Sequence, residues 1–140
     1  MTVPTITLAI AGGSGSGKTT LADRLLKELG GDENVTVLNH DYYYKDISHK
    51  SIEDRAETNF DHPESLETDL LLEHIKTLKQ GLPANVPTYD FATHSRMSEE
   101  TATQPRKIIL VEGILIFCHP DLVEEMDIKV FVVSDDHADF

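Results

Sequence analysis

The chain has 140 residues, 39% of them hydrophobic and 26% charged, with a formal net charge of −13. That length suits one domain with a sizeable core, and so negative a balance disfavours nucleic acid and anionic membrane as partners, because both need a basic face. One cysteine, Cys118, leaves no internal disulfide, and no stretch reads as a leader or a membrane span, so the expected setting is the reducing cytoplasm.

Residues 5–11 (TITLAIA) read as a buried strand, short, apolar and closed by glycines. Leu21, Leu25, Leu26 and Leu29 then keep helical spacing, with Gly30 and Gly31 as the stop. Residues 35–38 (VTVL) read as a second strand ending at Asn39, His40 and Asp41. The polar and aromatic stretch 42–60 has no period and is expected to be a loop holding a short helical piece. A helix is predicted over 61–81, with Pro63 in its first turn, lysines near its end, Gly81 closing it, and Leu66, Leu70, Ile75 and Leu78 marking its buried face. Residues 86–91 (VPTYDF) read as extended and the polar stretch through 105 as a loop. KIILVEG at 107–113 is a continuous apolar strand of the kind covered on both faces in a parallel sheet. A short helix near 120–126 and a strand at 128–133 follow. Strands alternating with helices predict an α/β fold, a mostly parallel sheet flanked by helices.

The bend between the first strand and the first helix reads GGSGSGKTT. Gly12, Gly17, Lys18 and Thr19 satisfy G-x-x-x-x-G-K-[ST] in full. Such a loop turns backbone N–H groups of Gly12, Gly13, Ser14, Gly15, Ser16 and Gly17 toward a phosphate, and the following helix brings its positive N-terminus to the same point. Lys18 can then reach the β- and γ-phosphates of ATP, and Thr19, beside Thr20, can ligate Mg²⁺. Phosphoryl transfer also needs carboxylates. Glu112 ends the 107–113 strand, where ligands of parallel sheets gather, and suits the metal, directly or through water; a strand-end surface glutamate is the lesser alternative. Asp41 closes the second strand at the same edge and suits a base for an acceptor hydroxyl, or an ordinary turn. Asp61 reads by propensity as a helix N-cap.

The motifs GGSGSGKTT, HDYYYKD, NFDHPESLETDLL, VPTYDFATHSR and ILVEGILIF occur in this order across nearly the whole chain, which thereby resembles the uridine–cytidine kinases, a branch of the P-loop kinases. The resemblance implies ATP-dependent phosphorylation of uridine or cytidine at the 5′-hydroxyl, the reaction of pyrimidine salvage, with Mg²⁺. It implies that Asp41 is the general base near the metal and that Tyr44 lines the nucleoside pocket. Asp61 would bind the ribose hydroxyls with Phe60 beside it. Tyr89, Phe91 and His94 would enclose the pyrimidine, and Arg96 would lie at the same site. Without the resemblance, His94 reads as solvated and Tyr89 and Phe91 as strand core. The resemblance further implies homo-oligomers, and an arginine-rich lid helix with a further helix and strand beyond the position of Phe140; here FVVSDDHADF stands at that point. The expectation is therefore a C-terminally incomplete kinase domain. A weakly catalytic binding or regulatory module and a P-loop kinase for another small acceptor are the competing readings.

Overall fold

The computed structural model describes residues 5–12, 17–47, 49–57, 63–93 and 95–133. Strand β1 (Ile6–Ala11) leads to helix α1 (Lys18–Glu28), strand β2 (Val35–Asn39) and a 3-10 turn at His40–Tyr43. Helix α2 (Ile52–Ala56), a 3-10 turn at Pro63–Ser65 and helix α3 (Thr68–Lys79) follow. Then come β3 (Ala84–Asp90), β4 (Ser95–Thr103), β5 (Ile108–Gly113), helix α4 (Pro120–Glu124) and β6 (Ile128–Phe131).

Four strands form one parallel sheet in the order β2-β5-β1-β6. The chain leaves β1, crosses through α1 to β2, and returns to insert β5 between them; it then places β6 on the other side of β1. The strand order thus reverses around β1 and β5, and a crevice opens at the carboxyl ends of these strands. Alternation along β5 explains why KIILVEG carries no polar face. Ile109 and Val111 pack with Ala9, Leu38, Tyr43, Leu71, Ile75, Leu78 and Leu122 on one side, whereas Leu110 packs with Ile10, Ala22 and Val35 on the α1 side. Both faces are covered, as a parallel sheet requires. Leu21, Leu25, Leu26 and Leu29 pack against the second of these layers, as their spacing predicts.

The sheet and the glycine-loop connection match the sequence reading, and four local expectations are corrected. Helix α3 begins at Thr68, because residues 43–45 and 65–67 pair as a short antiparallel ladder. Lys45 N donates to Ser65 O at 2.9 Å and Glu67 N to Tyr43 O at 2.6 Å, so this stretch is extended and Pro63 belongs to a separate turn. Consequently Leu66 is buried ahead of the helix, while Leu71 and Leu72 join Ile75 and Leu78 on its inner face and Leu70 is half-buried. The stretch 95–103, expected as loop, is strand β4, antiparallel to β3. It lies mostly in solvent, so no buried face imprints an alternation on SRMSEETAT. Pro87, which has no N–H to donate, sits where the β3–β4 register shifts. The last strand ends at Phe131, two residues earlier than expected.

Candidate active site

The site is built at the carboxyl edge of the parallel strands. β1 ends at Ala11 and runs into buried Gly12; Gly17 then caps α1 with φ 93°, a left-handed conformation that glycine adopts without strain. Lys18, the first residue of α1, is buried, and its Nζ lies 4.0 Å from Glu112 Oε1. Thr19 and Thr20 follow on the exposed side of that first turn. Gly13, Ser14, Gly15 and Ser16 lie outside the described residues.

Parallel pairing sets Glu112 between its neighbours. It is in register with Ile10 of β1 and with Asn39 of β2. Asn39 caps the next turn, its Oδ1 accepting from Asp41 N at 2.9 Å, and this places Asp41 just beyond the end of β2. Lys18, Asp41 and Glu112 form one electrostatic cluster. Burial holds both carboxyls above their ordinary pKa; the Lys18 ammonium pulls each back down, and the charge of Asp41 pushes Glu112 further up. Two carboxylates that repel each other beside exposed Thr19 make an all-oxygen donor set suited to a hard divalent cation, which would relieve the repulsion. Among the described residues no group of three or more His, Cys, Asp or Glu side chains stands placed to hold a metal ion. An ion held there would keep positions for water or phosphate oxygens, the usual arrangement for Mg²⁺.

Gly113 closes the back of the cluster. A Cβ there would come within 2.6 Å of His40 Cβ, so only glycine lets β5 run this close to the turn that carries Asp41. His40 is itself fully buried, with Nε2 2.9 Å from Thr68 Oγ1. Burial, aided by His119, lowers its pKa to about 4, so the ring is neutral at neutral pH. Tyr43 is anchored in parallel, its hydroxyl 2.8 Å from His74 Nδ1. Two polar contacts and the ladder thus fasten the Asp41 turn to α3.

On the other side of that turn stands an aromatic cluster. Tyr44 and Tyr89 have ring centroids 5.4 Å apart, Tyr89 and Phe91 5.1 Å, and Tyr42 and Phe91 5.9 Å. Tyr44 and Tyr89 are buried with Leu66, and Phe91 is half exposed. The Tyr89 hydroxyl is buried and has no hydrogen-bond partner among the described residues, and burial raises its pKa. A buried hydroxyl left without a partner is a place where a polar ligand edge gains most. Arg96, directly across the hairpin from Tyr89, has both terminal nitrogens engaged: Nη1 donates to Glu67 Oε1 at 2.6 Å and Nη2 to Tyr44 O at 2.8 Å. Phe60, Asp61 and His94, the remaining residues assigned to the acceptor, lie outside the described residues.

Sequence reasoning missed a cavity beside Glu112. A cavity of about 310 Å³ starts at Thr19 and Glu112, passes Asp23, Asn39 and Tyr42, and reaches Val86, Pro87 and Thr88 of the hairpin. Tyr42 was legible only as part of a YYY run. The 3-10 turn gives it a different direction from buried Tyr43 and turns its ring to the cavity and Phe91.

A sequence model of the phosphoribulokinase / uridine kinase family matches residues 7–140. Uridine kinase of Chloroflexus aurantiacus is 48% identical over 130 residues, which are 93% of this chain and 62% of that protein. Uridine kinase of Staphylococcus haemolyticus is 47% identical over 131 residues, covering 94% and 63% respectively. The chain thus spans less than two thirds of the length of these relatives. Among solved structures, a possible uridine kinase from Bacillus stearothermophilus superposes with a TM-score of 0.72 at 23% identity, over 94% of this chain and 72% of that one. A putative fructose transport system kinase from a Silicibacter species gives 0.74 at 22% identity, over 93% and 66%. These two likenesses concern the fold, which is that of the P-loop kinases. With the phosphate-loop pattern standing between β1 and α1, and the family model matching from within β1 onward, the chain belongs to the phosphoribulokinase / uridine kinase family.

Proposed function

We propose that the chain carries the donor and acceptor sites of an ATP-dependent kinase that phosphorylates uridine and cytidine at the 5′-hydroxyl to give UMP and CMP. The observation that carries this reading is the gathering of Lys18, Glu112 and Asp41 at one strand edge, with the Tyr44–Tyr89–Phe91 cluster beyond Asp41. Gly12 to Gly17, with Lys18, Thr19 and Thr20, take the triphosphate. Thr19, Glu112 and Asp41 would hold Mg²⁺, which would supply charge neutralisation on the phosphates when bound. Asp41, at the end of β2 beside the metal position, takes the proton of the 5′-hydroxyl. The freed oxygen bonds to the γ-phosphorus and ADP leaves. Tyr44, Tyr89, Phe91 and His94 enclose the base, and Asp61 with Phe60 holds the ribose.

An aromatic slot suits a planar pyrimidine, and the unpartnered Tyr89 hydroxyl can donate or accept, so it serves either base. The 47–48% identity to proteins named uridine kinase supports the same acceptor class. Transfer of label from γ-labelled ATP over a panel of nucleosides and sugars tests the proposal. Labelled UMP and CMP are expected; label on a sugar alone would assign the chain to another acceptor, and nucleoside binding without transfer would make it a binding module.

A further inference from the structure

Arg96 spans the acceptor hairpin and the Asp41 turn. It lies opposite Tyr89 in the β3–β4 register, and the Tyr89 ring faces that of Tyr44. Its Nη2 holds Tyr44 O at 2.8 Å, and its Nη1 holds Glu67 Oε1 at 2.6 Å. Tyr44 and Glu67 stand on the two sides of the short ladder that ends the Asp41 turn and starts α3, through Glu67 N to Tyr43 O and the Tyr44–Leu66 bridge. One guanidinium therefore straddles that ladder and closes a ring of contacts: Tyr89 to Arg96 across the hairpin, Arg96 to Tyr44 by hydrogen bond, Tyr44 back to Tyr89 by ring contact. A planar fork can make this double contact, whereas a lysine ammonium has one point of charge. The ion pair is mostly shielded on the arginine side, its side chain being 18% exposed against 40% for Glu67.

We propose that Arg96 is a positioning residue, clamped on Glu67 and the Tyr44 carbonyl, which fixes the hairpin that receives the acceptor against the turn that carries Asp41. Its two terminal nitrogens act through the protein and do not touch the acceptor. The identity of that acceptor rests on the uridine/cytidine reading; the clamp itself does not.

The test uses the full chain as wild type, Arg96→Lys, Glu67→Gln, the double variant, and the swapped pair Arg96→Glu with Glu67→Arg. Hydrogen exchange reads the clamp without any ligand. Amides of 41–45 and 65–67 should exchange about tenfold faster in either single variant, while those of β1 and β5 stay as in wild type. Calorimetry with uridine as probe reads its consequence. Each single variant should lose about tenfold in uridine affinity, the double variant little more than either, and ATP–Mg²⁺ affinity should hold within about twofold. The swapped pair should recover part of the loss. Unchanged exchange at 41–45 in Arg96→Lys would overturn the clamp. So would a large uridine loss in Arg96→Lys with none in Glu67→Gln, which would mean direct contact with the acceptor. Equal loss of both ligands with faster exchange in β1 and β5 would reduce Arg96 to general fold support and also overturn it. Wild type that fails to bind uridine would refute the acceptor reading while the exchange data still decide the clamp.

Discussion

Asp41 and His40 are neighbours whose environments act on their protons in opposite senses. A carboxyl held above its ordinary pKa binds its proton more tightly in the folded chain. Folding is then penalised as pH rises above the unfolded value of 3.8, and the penalty is complete above the folded value. Asp41→Asn is therefore expected to be more stable than wild type at neutral pH, with an advantage that fades as pH falls toward 3.8. Denaturant midpoints of the two proteins across pH check this; a less stable variant at neutral pH would show that Asp41 is well solvated or fully paired. His40 works the other way. Its folded pKa of about 4 lies below the ordinary 6.5, so its contribution is whole above 6.5 and declines as pH falls toward 4. At ~1.4 kcal/mol per pH unit, wild type should lose about 2 kcal/mol between pH 7 and pH 5 through this ring. A His40→Gln chain should lose less over the same interval, and an identical loss would place the acid sensitivity elsewhere.

Elements were legible in the sequence where burial imposes a pattern on it. β5 needed apolar side chains on both faces and shows them in KIILVEG, and α1 shows its inner face through Leu21, Leu25, Leu26 and Leu29. β4 was invisible because pairing with β3 holds it by backbone bonds while its side chains face water. The start of α3 was misplaced because a ladder between 43–45 and 65–67, distant in sequence, took the backbone groups that a first helical turn would have used. The same contrast governs the site. Lys18 and Glu112 could be placed from a local loop pattern and a strand end, and they stand 4.0 Å apart. Tyr42 on the cavity wall and Arg96 on Glu67 depend on a turn phase and a long-range ion pair that no local spacing encodes. Gly113 joins two elements through a missing side chain. Gly113→Ala would set a Cβ within 2.6 Å of His40 and should destabilise by about 1–3 kcal/mol, since strand and turn must move apart. Thermal unfolding checks it, and a neutral substitution would mean that the His40 turn yields freely.

At the scale of the molecule, β6 pairs among the described residues with β1 alone, and its Ile128 and Phe131, with Val133 just beyond, are exposed. An open parallel edge next to apolar side chains is a template for association. The 140-residue chain is expected to self-associate at micromolar concentration, and Phe131→Glu, which charges the most exposed of these side chains (64%), should shift it toward monomer. Sedimentation velocity reads this, and a monomeric wild type would show that the edge is protected in solution.

In the proposed reaction, one cleft delivers a triphosphate held by Lys18 to a nucleoside hydroxyl held at Asp41. Steady-state transfer from γ-labelled ATP to uridine, in wild type, Lys18→Ala and Asp41→Asn, with ATP and uridine affinities measured on the same samples, tests it most directly. The expected result is label at the 5′ position and a turnover lower by about 10²–10⁴ in Asp41→Asn with uridine affinity kept. For Lys18→Ala the expected result is a loss of ATP affinity of about 1.5–3 kcal/mol, again with uridine affinity kept. Transfer that survives in Asp41→Asn at the wild-type rate, or ATP affinity that is unchanged in a folded Lys18→Ala, would refute that reaction.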